Sequence, residues 1–81
     1  MEFSPGSEWA DTPGMEISAR NQLKGTIKSI TKDEVMAEVV VDVNGQEVVS
    51  AITASSVRRM KLKKGDPVTV IIKSTEVMIG K

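Results

Sequence analysis

From Val35 to Val43 the chain alternates without a break: Val35, Ala37, Val39, Val41 and Val43 fall on one side of an extended backbone, Met36, Glu38, Val40 and Asp42 on the other. A period of two is the mark of a strand with one buried face. Asn44-Gly45 follows where a two-residue type I′ turn, which needs positive φ at both positions, would reverse the strand. Pairing across that turn sets Val43 opposite Gln46, Val41 opposite Val48, Val39 opposite Ser50 and Ala37 opposite Ile52, so the apolar face runs over both strands. A β-hairpin over these residues is therefore expected.

The surrounding composition agrees. From Met15 onward there are 11 Val and 7 Ile against 2 Leu, which favours pleated sheet over helix. Further strands are expected at about Leu23 to Ile30, Pro67 to Ser74 and Glu76 to Ile79, with Lys64-Gly65-Asp66-Pro67 as the turn before the fourth. Ala54 to Met60 has room for only one or two helical turns, with Thr53 or Ser55 as N-cap. Five short strands with a small helix between the third and fourth is the element order of an OB-type barrel, so the expected fold is an all-β, five-stranded, OB-like Greek-key barrel. A barrel of this size built from Val and Ile has a thin core, and oligomerisation would supply the missing burial. The face of Met36, Val40, Val49 and Ala51 is apolar enough for a second subunit to cover, or else it packs under the helix.

An 81-residue chain holds one such domain. Residues 1–14 mix Pro, Gly, Ser and acids without periodicity and carry both aromatics, Phe3 and Trp9, so they read as a disordered extension. Met15 opens a different composition, which marks 15–81 as the domain and the leader as an expression remnant. The domain holds 11 basic against 8 acidic residues, too small an excess for a duplex-DNA footprint but enough to favour a small anion where the charges converge. With no His and no Cys, disulfides, thiol nucleophiles, Cys/His metal sites and histidine bases are all excluded. The carboxylates offer no recognisable catalytic pair and no nucleophile has a base beside it, which points away from an enzyme. No apolar run reaches membrane-spanning length and residues 1–14 lack the basic start and apolar stretch of a signal peptide, so a cytoplasmic setting is the default expectation.

Three short segments are rich in hydrogen-bond donors. Ser18-Ala19-Arg20-Asn21-Gln22 places a hydroxyl, a guanidinium and two amides just before the first strand. Thr53-Ala54-Ser55-Ser56 adds three hydroxyls at the expected helix start, and Lys73-Ser74 ends the fourth strand with a cation and a hydroxyl. Taken singly, each has a plain structural explanation: a turn residue, a helix cap, an exposed strand charge. The one basic cluster, Arg58 to Lys64, reads as a solvated helix end and turn, where cations suit the helix dipole.

The runs SARNQLKG (Ser18 to Gly25), AITASSV (Ala51 to Val57) and IKST (Ile72 to Thr75) together resemble the Mop family of molybdate-binding domains, a TOBE/OB-like type, and most of all its free-standing members, the molbindins. The resemblance covers Met15 to about Ile79. It implies a barrel that pairs into dimers by exchanging strands, three dimers forming a hexamer, with molybdate and usually tungstate bound at subunit interfaces. It further implies oxyanion contacts from Ser18, the Ala19 amide, Arg20, Lys73 and Ser74 on one subunit and from Thr53 and Ser56 on a neighbour. Asn21 would shape the loop, and Ser55 is the alternative to Ser56 as hydroxyl donor. No cofactor and no direct side-chain coordination of a metal are implied. Such a protein would store or buffer molybdate for cofactor synthesis.

Two alternatives stand beside this reading. One is an OB-type module that uses the Arg58 to Lys64 cluster for nucleic acid or protein, although the domain lacks every aromatic on which bases could stack. The other is the excised ligand-binding domain of a molybdate-responsive regulator or of an importer ATPase, of which the phosphate-binding loop is absent here.

Overall fold

A computed structural model describes residues 17–81. The expected leader, 1–14, and the expected native start at Met15 lie outside the described residues. Four strands, β1 (Asn21–Lys32), β2 (Met36–Val43), β3 (Gln46–Thr53) and β4 (Pro67–Ile72), form one antiparallel sheet in the order β3-β2-β1-β4, and a helix α1 (Ala54–Met60) joins β3 to β4.

The β2–β3 hairpin has the register expected from the alternation, with Val43, Val41, Val39 and Ala37 opposite Gln46, Val48, Ser50 and Ile52. Asn44 and Gly45 take φ of 52° and 87°, the left-handed pair that a type I′ turn demands. Strand β2 begins one residue later than the alternation suggests. The Asp33 carboxylate accepts the backbone N–H of Val35 and of Met36, each at 2.8 Å, and spends Val35 on the turn. Those two bonds, Met36's first, hold the Asp33 carboxyl below the usual carboxylate range.

β1 serves two neighbours in succession. Its first half, Asn21 to Thr26, pairs with β4; from Thr26 onward it pairs with β2. A bulge at Lys28 marks the change, since Ile27 opposes Val41 while Ser29 opposes Val40. Beside the bulge, Ile27 N–H donates to the Asp66 carbonyl at 2.9 Å and its carbonyl accepts from Gly65 N–H at 2.8 Å, which ties the turn before β4 to the bend. That turn is closed locally by Asp66, whose carboxylate accepts from the Lys63 amide and ammonium, both at 3.0 Å.

The core lies on the concave side: Ile27, Ala37, Val39, Val41 and Val57 are buried, with Ile30, Val43, Ile52, Leu62, Val68 and Val70 packed around them. Helix α1 enters this core through Val57 and the fully buried Ala54. Thr53, not Ser55, is its N-cap, accepting the Ser56 N–H at 3.1 Å, and Lys61 ends it in the left-handed region at φ 54°. A Cβ at Gly25 would meet Val41 Cγ1 at 2.5 Å and the Asp42 carbonyl at 2.7 Å, so the β1–β2 crossing requires glycine there.

Two expectations need correction. β4 stops at Ile72, Ser74–Glu76 forms a single 3-10 turn, and the fifth strand expected at Glu76 to Ile79 is absent. A strand needs a neighbour, and this segment pairs with nothing among the described residues; Met78 and Ile79 are each 91% exposed. The described sheet is accordingly four-stranded, with an apolar cleft, lined by Ser50 and Ile52 of β3 and Val68, Val70 and Ile71 of β4, left open between its edge strands. The second correction concerns the Met36, Val40, Val49 and Ala51 face. The helix packs on the opposite, Val39 side of the hairpin, so Met36 and Val49 stand exposed and are not covered by α1.

Candidate functional site

The sheet register gathers two of the three donor segments. Asn21 pairs with Ile72 as the outermost rung between β1 and β4, so Arg20 and Lys73 are the next residues outward on the two strands. Ser18, Ala19 and Arg20 thus arrive at the same corner as Lys73 and Ser74. Ser18, Arg20, Lys73 and Ser74 are exposed, and Asn21 is half-buried at the start of β1. The Gln22 side chain donates to the Ala19 carbonyl at 2.7 Å and holds the entering segment against the strand it leads into.

Beneath this segment is a depression lined by Ile17, Ser18, Ala19, Arg20, Gln22, Lys24 and Thr69. No carboxylate is among the described residues that wall it. Arg20 and Lys73 make no ion pair among the described residues. Thr69, which faces Lys24 across the β1–β4 ladder, has its hydroxyl buried without a hydrogen-bond partner. Sequence reasoning missed Thr69, although a lone hydroxyl amid Val68, Val70 and Ile71 was the available signal.

The third segment forms a hydroxyl cluster of its own. Thr53 Oγ1 accepts the Ser56 N–H at 3.1 Å, donates to Ser56 Oγ at 2.8 Å and lies 3.2 Å from Ser55 Oγ. Because Thr53 has a single proton and gives it to Ser56, Ser55 is the donor in the third contact. Ser56 is then the member of the cluster whose hydroxyl proton remains to be given elsewhere.

This cluster does not meet the first corner within one chain. Thr53 pairs with Met36, beside the rung Lys32–Ala37, and so lies at the Lys32 end of the 12-residue β1; Arg20 and Lys73 lie at its Asn21 end. β3 and β4, which carry the two groups, are also opposite edges of the sheet. The basic cluster is elsewhere again: Arg58 and Arg59 fall in the last turn of α1, at the negative end of its dipole, and Lys63 is engaged with Asp66.

Comparison with known proteins bears on these corners. The TOBE domain model matches residues 17–79. Molybdenum-pterin-binding protein 3 of Clostridium pasteurianum is 47% identical over 66 residues, which span 80% of this chain and 97% of that protein. The solved structure of a molybdate binding protein from Sporomusa ovata superposes with a TM-score of 0.79 at 48% identity, covering 83% of this chain and 100% of that one. ModG, a cytoplasmic molybdate-binding protein crystallised with molybdate bound, superposes with a TM-score of 0.72 at 38% identity over 79% of this chain, which spans 46% of ModG.

Proposed function

From a chain that belongs to the TOBE-domain family, and within it to the molybdenum-pterin-binding proteins, we propose a non-enzymatic binding protein for molybdate, and by the same chemistry tungstate. It stores and buffers the oxyanion in the cytoplasm, the setting described for ModG, and supplies it to molybdenum cofactor synthesis. Molybdate near neutral pH is a tetrahedral dianion with four acceptor oxygens and no proton to give. A site for it presents donors and excludes carboxylates. On this reading Ser18, the Ala19 N–H, Arg20, Lys73 and Ser74 bind from one subunit; from a neighbour Ser56 donates, and Thr53 joins it when its hydroxyl proton turns from Ser56 to the ion, while Asn21 and Ser55 support the two loops. The charges of Arg20 and Lys73 strengthen their hydrogen bonds and offset the desolvation of the ion.

The observation that carries the reading is the separation of two donor groups to opposite ends of one sheet. A tetrahedral ion wants partners on several sides, and a second copy brings the missing group. The open apolar cleft and the exposed Val77, Met78 and Ile79 supply the means: the segment of one chain lies as fifth strand in the cleft of its partner, closing each barrel and forming a dimer. The exposed Met36 and Val49 face then joins three dimers into a hexamer. Because ligand spans subunits, it stabilises the assembly by mass action. Sulfate, of equal charge with shorter bonds, is rejected by cavity size.

Isothermal titration with molybdate beside equal sulfate and phosphate at physiological salt tests the function. Tight molybdate binding with sulfate at least about a hundredfold weaker, a difference of about 2.7 kcal/mol, is expected. Equal weak heats from all three anions would refute it.

A further inference from the structure

β1 runs past β4. Their ladder ends at Thr26, and Ile27 is satisfied by Gly65 and Asp66, but from Lys28 to Lys32 β2 is the only strand beside β1 among the described residues. In an antiparallel pair, alternate residues turn their N–H and C=O away from the partner. The far side of Lys28 to Lys32 is therefore a short free edge, and no described residue bonds to its main chain there.

This edge fronts a groove that the oxyanion reading does not use. Lys28 and Lys32 stand on its β1 wall, Lys63 and Lys64 on the wall made by the turn before β4, and Ile30 and Leu62 contribute apolar surface between them. Lys28 is paired with Glu47 and Lys63 with Asp66, whereas Lys32 and Lys64 have no ion pair among the described residues. No described carboxylate lines the groove. We infer that the lysine-rimmed free edge at Lys28 to Lys32 is a docking site for an extended acidic segment of a partner protein, which adds as a strand beside β1.

Each part of the groove has a role in that fit. The free main-chain groups give affinity by strand addition, while Lys32 and Ile30, two apart on one face of β1, with Lys64 and Leu62 beside them, receive acidic and apolar side chains that follow each other two residues apart on the groove-facing side of the added strand. Lysines on a sheet edge also deter pairing between identical edges. Edge protection alone, however, needs no cations from a second element and no apolar floor, and here the turn contributes both Lys63 and Lys64. Single-stranded nucleic acid would want aromatic platforms, and no described residue lining the groove is aromatic.

The probe is a seven-residue peptide, Glu-Thr-Val-Thr-Glu-Thr-Val, which as a strand presents Glu and Val on one face, added to the full-length protein at physiological salt while amide hydrogen exchange is followed. Residues 28–32 should gain protection in a saturable way, and the charge-reversal pair Lys32→Glu with Lys64→Glu should weaken the peptide at least about tenfold while leaving molybdate titration and circular dichroism unchanged. The matching Lys-Val peptide should not bind. No added protection at 28–32, equal protection by the Lys-Val peptide, or a thymidine dodecamer that protects the same amides as strongly as the acidic peptide would each overturn the inference. Since molybdate titration is read on the same samples, failure of the groove and failure of the oxyanion site are told apart.

Discussion

Arg20 and Lys73 are charges with no partner among the described residues, at a corner where no described carboxylate lies, whereas Lys63 is committed to Asp66. Arg20→Ala and Lys73→Ala should each weaken molybdate by about 30-fold or more, on the scale of one lost charge-assisted hydrogen bond, and Lys63→Ala should change it little; titration calorimetry on the three variants decides, and equal losses would indicate general electrostatics. Thr69 makes a different prediction. Its buried hydroxyl lacks a partner, so Thr69→Val, which keeps the branched shape, should stabilise the ligand-free protein by about 1 kcal/mol in chemical denaturation. At this scale the donor residues were legible in the sequence as types, while their grouping came only through the family resemblance and not from any spacing. Arg20 and Lys73 are far apart in sequence and meet only through the Asn21–Ile72 rung, which no local pattern encodes.

Among the elements, the register of the β2–β3 hairpin was legible to the residue because alternation and turn chemistry are both local, and Asn44-Gly45 fixes that register by itself. The bulge at Lys28 was not, since it arises from the turn at Gly65 and Asp66 docking against Ile27 from the other end of the domain. Gly25 tests the close approach that this bend produces. Gly25→Ala should cost about 1–3 kcal/mol, seen as a lower denaturation midpoint, because its methyl group would press on Val41 and on the Asp42 backbone. The β1–β2 turn makes a prediction about acid. The Asp33 carboxyl is held low by the Met36 and Val35 amides, so the unfolded chain takes up its proton first as pH falls. Its contribution to stability is full above the unfolded-state value and is lost as pH drops through the folded one. Melting temperature should therefore decline below about pH 4, and Asp33→Asn, which still accepts both amides, should flatten that decline.

For the whole molecule, the sequence pattern overestimated what one chain completes. Val77 to Ile79 has the composition of a strand, and composition cannot say whether the partner edge belongs to the same chain. A chain ending at Glu76 should retain the β2–β3 hairpin, visible as β-type circular dichroism, yet run smaller than the full chain in sedimentation velocity; an unchanged sedimentation coefficient would remove this segment from the assembly.

The Asn21–Ile72 rung has one more consequence, for polypeptides longer than this one. The backbone enters the sheet and leaves it at a single corner, the one that gathers Arg20 and Lys73. A domain fused just ahead of Ser18 would therefore begin within a few residues of the proposed oxyanion corner, and tightening of that corner would pull on its tether directly. A unit wired in this way can be strung in tandem or spliced onto a larger machine by short tethers, with occupancy felt at the joint and no relay through the body of the sheet.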